Sequence, residues 1–126
     1  MVRVCRPGGR VVVCDGVADA DPRRGAAFNR MERLRDPSTH AFLTKEALLR
    51  ILIDAGWTPA AVERYRVPAE LEGLMRTSFP KPGDDARVRE MFEQSLHDDG
   101  LGMGTTRRGG RIYFHYAAVI ATVHRA

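Results

Sequence analysis

Four histidines are the side chains of this sequence best suited to general acid–base chemistry, because imidazole exchanges a proton near neutral pH. His115 falls within a long apolar run, which favours a packed ring, and His97 and His124 lie in polar or terminal segments. His40 follows Asp36 closely, but the sequence identifies no partner that would make it a base. A surface or packing role is therefore favoured for His40 as well.

The glycine-rich segment Gly100–Gly104 has the composition of a nucleotide-binding loop but not its context. Such a loop follows a strand and opens a helix, so that bare backbone N–H groups can approach the ligand. Here the segment follows a polar stretch, and residues 105–110 do not begin a helix. The acidic residue expected about 20 residues further on, at the end of a second strand, has no counterpart either. We predict a lid or hairpin connection.

Asp15 and the two cysteines are the other side chains that chemistry could use. Asp15 ends a predicted strand, where ligands bind in open α/β sheets, although a carboxylate that caps its own turn is the favoured alternative. Cys5 and Cys14 have neither the spacing of a metal site nor basic neighbours that would activate a thiol. Both are predicted to be reduced and inert, which favours a cytoplasmic location.

Composition excludes several classes of protein. The chain has 126 residues, 44% of them hydrophobic, which suits one globular domain. No apolar run approaches the roughly 20 residues of a membrane span, and no secretory signal is evident. The net charge is +4, but basic and acidic residues alternate, as in Arg30–Asp36. Without a face of one sign, nucleic-acid binding is not favoured.

Hydrophobic patterning predicts an α/β protein. A continuous β-branched run after the Pro7-Gly8-Gly9 turn indicates a strand covered on both faces. Apolar residues recur at helical spacing after the capping residue Thr44. The predicted strands are Arg10–Asp15, Val62–Val67 and Ile112–Val123, and the predicted helices are Arg23–Arg35, Lys45–Ala55 and two short ones in an insert at about 69–104.

Five segments occur in an order typical of one enzyme family. They are Met1–Asp15, with its Arg-Pro-Gly-Gly-Arg turn, Asn29–Ser38, with Arg-Asp-Pro-Ser, the helix Thr44–Trp57, and the strands Val62–Pro68 and Ile112–Val123. Together they resemble the C-terminal half of class I S-adenosylmethionine-dependent methyltransferases that act on small molecules in ubiquinone and antibiotic biosynthesis. The histidine that the family has directly after Asp-Pro-Ser is Thr39 here, and His40 comes one place later.

The resemblance implies a partial Rossmann-like methyltransferase fold in a single domain, 1–126. Its mixed sheet of three strands has the spatial order 10–15, 112–123, 62–67, with the last strand antiparallel to both neighbours. The family holds S-adenosylmethionine in a preceding half that this sequence does not contain, so the chain is expected to bind no cofactor and to be inactive alone. No catalytic residue and no metal ligand is identified.

The same resemblance implies contacts to a small-molecule methyl acceptor. Methionine and aromatic side chains in the insert could line an adaptable pocket, although a core beneath two short helices explains them equally well. The residues implied on the acceptor side are Asp15, Asn29, Arg33, His40, Met75 and Phe79.

Two other functions remain open for this sequence. The chain could be a non-catalytic domain that binds a small molecule or forms a homodimer through the strand edge left bare by absent neighbours. It could also be a small basic protein associated with RNA, in which case RNA retention would depend on salt concentration.

Overall fold

The computed structural model describes residues 2–126, so Met1, the first residue of the turn motif above, lies outside the described residues. A short 3-10 helix, Val2–Val4, precedes the first strand. The other elements, in chain order, are β1 (Arg10–Gly16), α1 (Pro22–Arg35), α2 (Lys45–Asp54), β2 (Trp57–Glu70), α3 (Leu71–Arg76), α4 (Asp84–Asp98), β3 (Thr106–Arg108) and β4 (Arg111–Arg125).

Local capping explains where α1 begins and where α2 begins and ends. Asp21 accepts a hydrogen bond from the N–H of Arg23 at the start of α1, and proline occupies the first helical turn. Thr44 caps α2 by accepting from the N–H of Ala47 at 3.1 Å. Beyond α2, Gly56 adopts a φ of +86°, which suits glycine and ends the helix.

The sheet is built around β4. It pairs with β1 along one edge and with β2 along the other, which confirms the predicted spatial order. β4 runs antiparallel to both neighbours, as predicted. The description of the sheet as mixed and three-stranded was wrong, because all pairings between strands are antiparallel and a fourth strand, β3, also pairs with β4.

The fourth strand belongs to a tight hairpin that follows the glycine-rich segment Gly100–Gly104 and was not among the predicted strands. Gly109 and Gly110 have φ values of +55° and +76°, and two consecutive positive φ values suit the turn that joins antiparallel strands. Thr106–Arg108 then pairs with the beginning of β4. The guanidinium of Arg108 lies 4.3 Å from the ring centroid of Tyr113 and adds a cation–π contact to the hairpin.

The two faces of β4 bury different clusters, because successive side chains of a strand point to opposite faces. One face, carrying Ile112 and Phe114, packs against α1, α3 and α4. The other, carrying Ala121 and Val123, packs against α2 through Leu52 and against Trp57. Among the described residues, no helix is both long and apolar enough to cross a membrane.

A buried polar network ties α1 to the sheet. The Glu32 side chain is fully buried, and its carboxylate accepts hydrogen bonds from the Tyr116 hydroxyl at 2.5 Å and from Arg35 Nη2 at 2.7 Å. Arg35 also donates to Ser78 Oγ at 3.2 Å, and its carbonyl accepts from the N–H of Phe79. The network therefore joins α1, β4 and the loop after α3.

The Tyr116 phenol in this network predicts a loss of stability at alkaline pH. Burial, followed by the negative charge of Glu32, raises its pKa well above the usual value of 10. Above pH 10 the unfolded chain releases this proton while the folded chain retains it, so the free energy of unfolding falls as pH rises, by about 1.4 kcal/mol per pH unit. Urea denaturation between pH 9 and about pH 11.5 measures this free energy. It should fall less steeply with pH for Tyr116→Phe than for the unsubstituted protein. Equal slopes for the two proteins would contradict this account.

Candidate functional site

Two depressions lie at the C-terminal end of β1, where the chain leaves the sheet. The smaller has a volume of about 300 Å³ and brings together Asp15 and His40, two of the residues predicted to contact an acceptor. Both side chains are exposed, and one carboxylate oxygen of Asp15 accepts from the N–H of Gly16 at 2.8 Å. Asp15 therefore caps its own turn, as the alternative interpretation proposed, and its second oxygen takes no protein partner among the described residues.

Asn29, a third predicted residue, fixes the wall of this depression. Its side-chain amide donates to the carbonyl of Phe42 at 3.1 Å and accepts from the N–H of the same residue at 2.7 Å. The ring of Phe42 packs edge-on against Phe28, with centroids 5.0 Å apart. Asn29 thus fixes against α1 the loop that carries His40. It shapes the depression by positioning that loop and does not itself line it.

The structure places the other three predicted residues elsewhere. Arg33 is exposed on α1 beside a shallow depression that Lys81 and Asp84 also line. Met75 is 9% exposed and belongs to the core beneath α3 and α4, whereas Phe79 is 74% exposed. Hence the six residues do not converge on one pocket, and contact with an acceptor stays a prediction for each of them.

The larger depression, called the arginine cavity here, has a volume of about 530 Å³. Its floor is a face of the sheet, where Arg66 pairs with Ala117 across β2 and β4, and the N–H of Val17 donates to the Ala117 carbonyl at 2.9 Å. Its lining residues are Val17, Ala18, Asp19, Ala20, Arg24, Arg64, Tyr65, Arg66, Asp99, Gly102, Met103, Gly104, His115, Ala117 and Ala118.

One wall of the arginine cavity is the glycine-rich segment. The Met103 carbonyl accepts from the N–H of His115 at 2.9 Å, which lays this segment along the edge of β4. Gly102 has a φ of +66°, and a Cβ at this position would lie 2.7 Å from a carboxylate oxygen of Asp19. Glycine is therefore needed here for close packing against Asp19. The segment joins α4 to β3, so no helix follows it.

The charged groups of the arginine cavity were not singled out from the sequence. Arg64 and Arg66 lie within the predicted strand Val62–Val67, and their spacing of two residues places both on the same face of the sheet. His115 was predicted to be packed, and it is half-buried at one end of the cavity. Asp19 precedes α1, and Arg24 lies in the first turn of that helix. The turn between them brings the two side chains together.

The two cysteines lie in different settings, and the guanidinium of Arg125 donates to the backbone carbonyl of Cys5. Cys5 is half-buried beside the cluster beneath α2. Cys14 is exposed, and its sulfur lies 2.8 Å from the Tyr65 hydroxyl, across β4 on the face opposite the arginine cavity. In the part of the chain that the structure describes, no three His, Cys, Asp or Glu side chains are grouped to hold a metal ion.

Comparison with known proteins finds likeness in structure but not in sequence. No protein-family model and no curated protein matches the chain. Among solved structures, it superposes on BH2331 of Bacillus halodurans C-125, a protein with a provisional methyltransferase assignment, with a TM-score of 0.86 and 17% identity. It superposes on YcgJ of Bacillus subtilis with a TM-score of 0.85 and 16% identity.

The extent of these matches is the same in both cases. Each covers 98% of this chain and 54% of the other protein, so the chain spans about half the length of the structures that it matches. This confirms, at the level of the fold, the resemblance to half of a methyltransferase that the sequence indicated.

Proposed function

We propose that this chain forms the acceptor-side half of a small-molecule methyltransferase that uses S-adenosylmethionine. The observation that carries the proposal is the superposition of nearly the whole chain on about half of a protein with a provisional methyltransferase assignment. The five collinear sequence segments support it independently, because they depend only on residue types and their order. The antiparallel last strand in the middle of the sheet agrees with the topology that those segments implied.

The described residues do not fit the methyl donor. A nucleoside sulfonium of this kind needs backbone N–H groups between a strand and a helix start, with room for close approach. The glycine-rich segment follows α4, packs against Asp19 and leads into β3 instead. We therefore assign donor binding to residues outside this chain and acceptor contacts to the end of β1, where Asp15 and His40 line one depression.

Calorimetry with S-adenosylmethionine tests this division directly. The chain of 126 residues is expected to show no binding. The reading frame extended upstream of Met1 in the genomic DNA is expected to encode a strand, a glycine-rich loop and a helix, and the extended protein is expected to bind the donor. Stoichiometric binding by the shorter chain, or an upstream region without such a unit, would refute the proposal.

A homodimer through the outer edge of β1 is a second candidate, favoured by the exposure of that strand. Among residues 2–126, β1 pairs along its length only with β4, and beyond its end only Ala18 meets Thr44 in an isolated bridge. Val12 is 62% exposed on this strand. An edge strand with an exposed apolar side chain can pair with a second copy.

Sedimentation velocity separates this candidate from the first. A dimer that Val12→Lys converts to a monomer would support edge pairing, because a charge on an edge strand opposes such pairing. Val62→Lys is the matched control, since Val62 is 38% exposed on β2, the opposite edge of the sheet. A protein that is monomeric at all accessible concentrations would exclude the dimer.

A further inference from the structure

We propose that the arginine cavity binds the anionic group, a carboxylate or a phosphate, of a small molecule with an apolar body. The proposal rests on the proposed function only in identifying this molecule as the methyl acceptor. Binding of the anion itself requires neither the donor nor methyl transfer. Three features of the cavity carry the inference: the placement of two arginines, the engagement of the acidic side chains, and the apolar floor.

Arg64 and Arg66 are placed side by side over the sheet. They alternate along β2 with Tyr65, whose hydroxyl reaches Cys14 on the opposite face. Their partners on β4 are Val119 and Ala117, respectively. Both arginines therefore project from the same face of the sheet, and two guanidinium groups at this spacing can donate several hydrogen bonds to one anion.

The acidic side chains of the arginine cavity do not neutralise these arginines. One oxygen of Asp19 accepts from the N–H of Asp21 at 2.8 Å, and the other lies 3.9 Å from Arg24. Asp99 accepts from the N–H of Gly104 at 3.0 Å. Within residues 2–126, neither arginine of β2 lies within salt-bridge distance of a carboxylate. At longer range, the charge of Arg64 also acts on the exposed carboxylate of Glu46 on α2. The cavity thus presents two arginines that no salt bridge engages directly.

The rest of the arginine cavity has apolar surface on its floor and polar groups, from Asp19, Asp99 and His115, at its margin. Ala117, opposite Arg66, carries only a methyl group and leaves the middle of the floor open. Val17, Ala18 and Met103, each less than 10% exposed, close the side nearer β1 and the glycine-rich segment. A volume of about 530 Å³ lies within the range of small-molecule pockets. The combination of an apolar floor and a cationic rim favours an aromatic or short aliphatic acid or phosphate over a large polar ligand.

Titration of the whole chain with benzoate and with phenyl phosphate, followed by NMR, tests the proposal. The backbone amide signals of Ala117 and Gly104 are expected to shift with at least one of the two probes and not with neutral benzamide. A response to benzoate alone identifies a carboxylate ligand, and a response to phenyl phosphate alone identifies a phosphate. The double variant Arg64→Ala/Arg66→Ala is expected to weaken binding at least about tenfold.

Arg87→Ala is the matched control, because Arg87 is an exposed arginine on α4 outside the arginine cavity. Unchanged binding by this variant shows that the loss in the double variant is not a general effect of charge. Absence of cavity shifts with both anions, an equal response to benzamide, or equal weakening by Arg87→Ala would overturn the proposal. Calorimetry with S-adenosylmethionine reports on the proposed function separately, so either hypothesis can fail alone.

Discussion

Replacing Arg35 by methionine is expected to lower the free energy of unfolding by about 3–5 kcal/mol, the cost of breaking a buried ion pair from one side. The Glu32 carboxylate is fully buried, and Arg35 supplies the positive charge that faces it at 2.7 Å. Without that charge, the Tyr116 hydroxyl is the remaining donor to the carboxylate. Urea denaturation at pH 7 measures the loss directly.

Arg33→Met is the matched control for this prediction. Arg33 lies two residues earlier on the same helix and is exposed, so its replacement should change stability by no more than about 0.5 kcal/mol. The charge change and the helical context are the same in both variants. A loss below about 1 kcal/mol for Arg35→Met would show that the pair behaves like an exposed salt bridge, and that the network does not hold α1 to the sheet.

Replacing Phe92 by alanine should lower the free energy of unfolding by a similar amount, about 3–5 kcal/mol, because it removes a large side chain from the contact between α4 and the sheet. Phe92 is fully buried, and its ring lies 4.6 Å, centroid to centroid, from that of Phe114 on β4. Phe114 in turn packs against the ring of Tyr116. We expect a lower urea midpoint and weaker hydrogen-exchange protection throughout α4.

Phe79→Ala is the corresponding control, since Phe79 belongs to the same part of the chain but is 74% exposed. Its loss should leave stability within about 0.5 kcal/mol of the unsubstituted protein. This also makes Phe79→Ala a clean variant with which to test the predicted contact to an acceptor. Similar destabilisation by both substitutions would contradict the assignment of Phe92 to the core.

The regular elements were predictable because they depend on local patterns. The cap of α2 at Thr44 and the apolar spacing that follows it are encoded within a few residues, and both helix ends agree closely with the prediction. The short strand Thr106–Arg108 was missed because three polar residues carry no periodic signal. What makes them a strand is the Gly109-Gly110 turn and the long partner strand that follows.

The candidate site was less predictable because its parts come from distant segments. The same holds outside the site, where the buried Glu32 carboxylate accepts from the Tyr116 hydroxyl, 84 residues further along the chain. The alternation of apolar and polar residues that places Arg64 and Arg66 on one face can be seen in the sequence. The wall opposite them, from Gly102 to Gly104, depends on where the chain emerges after α4, which no local pattern encodes.

The position of β4 has a consequence for synthesis on the ribosome. All pairing in the described sheet passes through this strand, yet β4 leaves the exit tunnel after β1 and β2. Until it emerges, β1 and β2 have no hydrogen-bonding neighbours within the described chain, and their apolar edges are open to association with other nascent polypeptides. We therefore expect the sheet to form in a late, cooperative step, once β4 is available to both neighbours.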